Sequence, residues 1–281
     1  MRHIKELVPL LKKGNIVAFC GAGLSSESSI PTFRGKGGLW EKYNPEVFAT
    51  LGGLLSLFIF SPKKVRDFIV EFYDILLSGK PNYAHYGLAE LERKNLLLGV
   101  ITQNIDDFHS QAGSTEVAEL HGNAYKFWCL KCKIVVKKNR EEFEKFIENL
   151  KSKQSRKEII REILNFMGKC PSCRKRMRPY IIFFGQSLPQ DELKKGYSYL
   201  DKAQTLLCIG TSGVVYPAAY LPYYSRRRGA KIININPEST PLDDIADWVI
   251  RETAVNFFKI ILPILNETFF RHRRIRLRRK V

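Results

Sequence analysis

No stretch of this 281-residue chain is apolar for long enough to cross a bilayer as a helix. The longest segment without a charge, Val47 to Pro62, holds two glycines and a proline, and it falls short of the roughly 20 residues a span needs. A secretion signal is also missing. The start, MRHIKELVPLLKKG, reads as an amphipathic helix with scattered lysines. No internal repeat is present. Acidic residues are scarce, 28 against 46 Lys and Arg, for a formal net charge of +18. Cysteines number six. With no export signal, a reducing cytoplasm is the expected compartment, and paired cysteines there favour a metal over disulfides. A wholly disordered chain is excluded by 44% apolar and 12% aromatic residues, enough for a substantial core.

The basic excess favours acidic partners, either nucleic acid or an anionic protein surface. A solubilising surface is the plainer reading. Seven of the positive charges crowd into the last eleven residues, Arg271 to Val281. That tail has little with which to pack a core, and it is expected to be mobile or helical only on a partner.

Six short apolar, β-rich runs stand out: Ile16–Cys20, Leu97–Thr102, Tyr180–Phe184, Thr205–Ile209, Lys231–Ile235 and Trp248–Ile250. Most are near-continuous apolar blocks, the pattern of strands covered on both faces. Helical patterns lie between them at Ala84–Lys94, Gln190–Asp201 and Pro217–Arg228. This alternation predicts an α/β fold, a Rossmann-like doubly wound parallel sheet. Two stretches interrupt it, 36–80 and 127–177. The second carries both cysteine pairs around a charged helix, Glu141–Phe166. A smaller zinc-ribbon and helical domain built from insertions is therefore expected. The parts are about 1–36, 81–126 and 178–262 for the sheet, 37–80 for the helical insertion, 127–177 for the zinc-binding insertion, and 263–281 for a basic tail.

Gly21-Ala22-Gly23 follows an apolar run. That arrangement lets a backbone turn tightly and approach a pyrophosphate, although the third glycine of the usual fingerprint is absent and a plain turn would look the same. The extension Ile30-Pro31-Thr32-Phe33-Arg34 adds an aromatic face and a cation suited to phosphate. Thr102-Gln103-Asn104-Ile105-Asp106 sits where a strand should end, the usual ligand position in open α/β sheets. Asn104 and Asp106 could equally bond their own turn. His121-Gly122 offers a general base near neutral pH, or a structural histidine. Cys129, Cys132, Cys170 and Cys173 form two Cys-x-x-Cys pairs, the halves of a closed, structural zinc site. Cys20 and Cys208 read as small buried hydrophobes. Gly210-Thr211-Ser212 and Ile232–Pro237 place small or amide residues at further strand ends, and each alone is consistent with an ordinary loop.

Together and in this order, these pieces resemble the sirtuin family of NAD-dependent protein deacylases, over about residues 5 to 262. The resemblance implies NAD as a consumed co-substrate and one structural zinc ion. It implies that an acyl-lysine carbonyl oxygen attacks the nicotinamide ribose. His121 then takes a ribose hydroxyl proton, and the products are free lysine, nicotinamide and O-acetyl-ADP-ribose. Asn104 and Asp106 join His121 as catalytic positions. Gly21, Ala22, Gly23, Ser25, Phe33, Arg34, Gln103, Ile105, Gly210, Thr211, Ser212, Asn234, Asn236 and Ala254 match cofactor positions. Phe184, Gly185, Val214 and Val215 match the edges between which an acyl-lysine peptide adds as a strand.

Three positions depart from the family pattern. Ser29 stands where glycine is usual, Gln186 where glutamate is usual, and Asp107 where glycine is common. Family members that prefer succinyl or malonyl groups carry Tyr-x-x-Arg; here Tyr73 is followed at that spacing by Leu76, which predicts neutral acyl groups, acetyl first. The expected partners are acyl-lysine proteins, including DNA-binding ones, with nonspecific nucleic-acid contact through the tail and no membrane. Two competing readings are a protein mono-ADP-ribosyltransferase on the same scaffold and a nonenzymatic zinc-bearing DNA-binding protein.

Overall fold

The structure is a computed structural model. It describes residues 2–30 and 39–278, with side chains for 4–30 and 41–266. Six parallel strands make the main sheet: β1 (Ile16–Cys20), β2 (Leu97–Thr102), β3 (Val117–Glu119), β7 (Thr205–Ile209), β8 (Lys231–Ile235) and β9 (Trp248–Ile250), in spatial order β3-β2-β1-β7-β8-β9. This is the Rossmann order, in which the chain changes direction between β1 and β7. Three antiparallel strands form a second sheet in the order β5-β4-β6: β4 (Gly122–Trp128), β5 (Val135–Lys137) and β6 (Arg178–Ile181).

The central strands are apolar throughout because both of their faces are covered. In β1, Ile16, Ala18 and Cys20 join a cluster under the helices Tyr83–Arg93 and Ala254–Arg278. Val17 and Phe19 point the other way, into a cluster with Tyr199, Leu200 and Leu221. A third core fills the insertions, where Tyr73, Phe143, Phe146 and Ile159 meet the small sheet.

The structure corrects four expectations. The run Tyr180–Phe184 is not a main-sheet strand; β6 is shifted toward Arg178 and pairs with β4 in the second sheet. The module edges drawn at 126/127 and 177/178 are crossed by the second sheet, which takes in Gly122–Trp128 and Arg178–Ile181. The charged helix over Glu141–Phe166 is two helices, Arg140–Ser152 and Arg156–Met167. Ser155 opens the second with a capping box to Glu158. The edge drawn at 262/263 falls inside the helix Ala254–Arg278, which runs through Pro263 and buries Leu265. The tail is helical as far as Arg278. The side chains of its arginines lie outside the described ones.

Candidate active site

The crevice lies at the C-terminal ends of β1 and β7, and backbone contact builds it. Gly21 N–H donates to Ile209 O (3.0 Å) and Gly23 N–H to Gly210 O (2.8 Å). Gly210 has φ +57, and a Cβ there would lie 2.4 Å from the nitrogen of Leu24. A side chain at this crossing would force the two loops apart.

From the crossing, hydrogen bonds link the glycine turn, the Gln103–Asp106 loop, His121, Thr211 and Asn236. Asn104 Nδ2 donates to Gly21 O (3.1 Å) and to Ser25 Oγ (3.2 Å). Ser25 Oγ donates to Asp106 Oδ2 (2.7 Å). Gln103 Nε2 donates to Thr211 Oγ1 (2.9 Å), and Asn236 Nδ2 to Thr211 O (3.1 Å). His121 Nδ1 meets Gln103 O at 3.0 Å. Segments as much as about 200 residues apart in sequence thus share one polar chain.

That last contact decides the imidazole's tautomer. A carbonyl oxygen can only accept, so Nδ1 carries the proton and Nε2 is left with a lone pair. Burial pushes the His121 pKa below its ordinary value, with the Gln103 carbonyl opposing in part. The ring is neutral at physiological pH, as a general base must be. Gly122 has φ +79, and a Cβ there would collide with Tyr180 O. The glycine is what lets the chain turn from His121 into β4 beside β6.

Asp106 bonds its own turn and also braces a second loop. Its Oδ1 accepts from Phe108 N–H (3.0 Å), a local turn, while its Oδ2 takes the Ser25 hydroxyl. Burial raises its pKa; the Phe108 and Ser25 bonds pull the other way. Behind Ser25 lie His85, with Nε2 at 3.5 Å, and His109, whose ring centroid is 5.1 Å from that of His85.

These loops open on one cavity of about 1650 Å³. Gly21, Ala22, Gly23, Gln103, Asn104, Ile105, His121, Gly210, Thr211, Ser212, Asn236 and Ala254 line it. So do Phe184, Gly185, Val214 and Val215. Three expected site residues do not. Ser25 and Asp106 sit behind the wall. Asn234 is fully buried and turns its amide to Thr240 Oγ1 (2.9 Å) and Asp243 Oδ1 (2.7 Å). Phe33 and Arg34 lie outside the described residues. Residues that the sequence did not single out complete the wall: Phe48, Leu51, Leu54 and Phe58 from the helical insertion, and Leu188 and Tyr216 from loops. Their signal was only apolar character, which a core residue shares.

Phe184 already donates its N–H to Ala49 O (2.8 Å), so part of the expected peptide-pairing edge is used within the chain. Gln186 folds back, its Oε1 accepting from Phe183 N–H (2.9 Å). Ser29 does adopt the left-handed conformation, φ 62, which strains a non-glycine residue. Asp107 is left-handed too, at φ 68, and is held by Lys137 (2.7 Å) and Asn123 (2.8 Å).

The four cysteines converge. Their sulfurs lie within 4.8 Å of one another, and none is in a disulfide. Two sulfurs on a tetrahedral zinc ion with bonds of about 2.3 Å would be about 3.8 Å apart. The two loops match each other: Lys133 N–H returns to Cys129 O (2.8 Å) and Arg174 N–H to Cys170 O (3.0 Å), with φ 60 and 59. The Cys132 backbone N–H holds the Cys129 thiol well below its usual range, as suits a thiolate ligand. The donor set fits zinc.

Comparison with known proteins agrees with this geometry. A model of the Sir2 family matches residues 21–217. The chain is 42% identical over 245 residues to an NAD-dependent protein deacylase of Pyrococcus abyssi, covering 87% of this chain and 90% of that one. It is 36% identical over 260 residues to an NAD-dependent protein deacetylase of Thermotoga maritima, covering 92% and 97%. Among solved structures, a Sir2 homologue in complex with NAD matches with a TM-score of 0.75 at 34% identity, over 94% of each chain. A Sir2 variant solved with a deacetylated peptide and 3′-O-acetyl-ADP-ribose matches with a TM-score of 0.71 at 37% identity, over 91% of this chain and 96% of that one.

Proposed function

Since this chain belongs to the Sir2 family, we propose that its cavity carries out NAD-dependent deacetylation of protein lysines, with the residues in the following roles. The observation that carries the assignment is the His121–Gln103 contact: one neutral imidazole, with Nε2 free, at the wall of a cavity floored by the glycine crossing. NAD, when bound, supplies a ribose that loses nicotinamide and accepts the acyl group on a hydroxyl.

Gly21, Ala22, Gly23, Gly210, Thr211 and Ser212 would hold the cofactor's phosphates on backbone N–H groups at the crossing. Gln103, Asn236 and Ala254 would meet its sugar and base portions. Asn104 and Ile105 would face the reacting ribose, with Asp106 and Ser25 bracing Asn104 from behind. Phe33 and Arg34 keep their expected cofactor role. Asn234 would act by shaping the loop that carries Asn236, because its amide nitrogen is spent on Thr240 and Asp243 and its side chain is away from the cavity. His121 Nε2 would take the hydroxyl proton. The acyl-lysine would enter between Phe184-Gly185 and Val214-Val215, where apolar walls exclude water from the reacting atoms.

Cys129, Cys132, Cys170 and Cys173 would hold one zinc ion with no open position, a role in folding and not in catalysis. The small module would span about 122–181. Among the described residues no helix is long and apolar enough to cross a membrane. Substrates would be acyl-lysine proteins, with DNA-binding proteins favoured by the basic tail.

The test is mass spectrometry of an acetyl-lysine peptide with and without NAD. Loss of the acetyl mass only with NAD, together with O-acetyl-ADP-ribose, is the expected result. ADP-ribose left on protein would replace this reading with ADP-ribosyl transfer.

A further inference from the structure

The helix Leu51–Phe60 (LGGLLSLFIF) has no charge in ten residues, yet none of its residues is buried. Leu51, Leu54, Leu55 and Phe58 line the cavity. Ile59 and Phe60 do not, and they are 49% and 78% exposed. Folding alone does not explain two adjacent large apolar side chains in water at one corner.

The chain then turns at Ser61, and the next helix, Pro62–Ser78, puts exposed Lys63 and Lys64 in its first turn. Neither lysine has an ion pair among the described residues. The acids nearby are engaged: Asp67 by Arg66 (2.7 Å), and Glu71 by Lys42 and by the Tyr43 hydroxyl (2.6 Å). The corner therefore offers an apolar tip and two uncompensated cations.

We propose that this corner docks the protein on the surface of an anionic phospholipid bilayer. Phe60 and Ile59 would enter the boundary between headgroups and acyl chains, about 5–10 Å deep, while Lys63 and Lys64 meet lipid phosphates. A second copy of the chain fits less well. Two large side chains fall far below the roughly 20–30 residues a side of a specific protein interface, and two chains at +18 repel each other. The sequence suggested no membrane partner because no segment spans, but surface docking needs no span. The inner face of the same helix lines the cavity, so docking would bring the cavity beside proteins at the bilayer.

The test uses the full chain and co-sedimentation with vesicles of phosphatidylcholine and phosphatidylglycerol, or of phosphatidylcholine alone. Binding to the anionic vesicles is expected. The double substitution Ile59→Ser, Phe60→Ser keeps the charge and should weaken that binding at least tenfold; Lys63→Glu, Lys64→Glu should do the same. Melting temperatures near the parent's show that each variant is folded. Phe60→Trp should shift its emission to the blue on anionic vesicles and be quenched by brominated lipid. Unchanged vesicle binding by Ile59→Ser, Phe60→Ser would assign the attraction to overall charge and overturn the proposal. An unshifted Phe60→Trp spectrum would overturn it as well. So would a dimer, seen without lipid by analytical ultracentrifugation, that the serine variant dissociates. None of these readouts depends on deacetylation.

Discussion

At the scale of single residues, the chemistry rests on proton positions. The His121 pKa is depressed by burial, and the base works only when neutral. Activity should therefore hold above the ordinary histidine value of about 6.5 and fall only as pH drops through the lowered folded-state value. A pH profile of kcat/KM should show an acid limb below 6.5. His121→Ala should cut turnover by at least about a hundredfold, the usual scale for a lost general base. Turnover unchanged in that variant would remove His121 from the mechanism.

His109 makes a separate, thermodynamic prediction. It is 2% exposed with both ring nitrogens unpartnered among the described residues, and burial lowers its pKa to about 4 from 6.5. The unfolded chain takes up that proton near 6.5, while the folded chain resists to about 4. Its contribution is thus fully present above 6.5 and is lost as pH falls from 6.5 to 4, up to about 3 kcal/mol. Urea midpoints at pH 7 and 4.5 measure it, and His109→Leu should shrink the difference. A wild-type midpoint that stays flat between those pH values would contradict this account.

At the scale of elements, two segments decide stability and selectivity. The cysteine loops adjoin the second sheet, with Cys129 directly after β4 and Cys173 shortly before β6, so a metal there would tie the ends of these strands together. A chelator strong enough to strip zinc should release one ion per chain. It should also expose residues 127–177 to protease while the main sheet persists. Protease resistance of that segment in the metal-free protein would deny zinc a folding role.

On the helix Pro62–Ser78, Tyr73 and Leu76 lie one turn apart, 7% and 4% exposed, in one apolar cluster with Ile105. The Tyr73 hydroxyl is spent on Ala124 O (2.8 Å). Leu76 offers no cation at that spacing from Tyr73, and burying a distal carboxylate beside it unpaired is costly. Succinyl-peptide should be turned over on the order of 100-fold more slowly than acetyl-peptide of the same sequence, a barrier difference of about 2.7 kcal/mol. Equal kcat/KM values would show that the distal group sits elsewhere.

At the scale of the whole molecule, the charge of +18 makes any contact with nucleic acid sensitive to salt. Truncation after Pro263 removes the seven terminal cations but also cuts the final helix, so the truncated protein's melting temperature must be checked first. If the tail is the anchor, DNA binding should weaken and the slope of log K against log salt should become shallower by several units. An unchanged slope in a folded truncation would place the contact on the body of the protein.

The features legible in the sequence were the local ones. The doubly wound sheet followed from apolar runs such as Ile16–Cys20 and Thr205–Ile209, because a strand covered on both faces must be apolar throughout. The cysteine loops followed from a two-residue spacing that only a tight turn satisfies. Tertiary structure alone decided what depends on distant segments meeting. It set the tautomer of His121 through Gln103, turned Asn234 away from the cavity toward Asp243, placed β4 and β6 in a sheet of their own, and left Ile59 and Phe60 in solvent. A side chain's partner is chosen by which groups the fold brings within about 3 Å, and no local pattern encodes which strand ends and loops will meet.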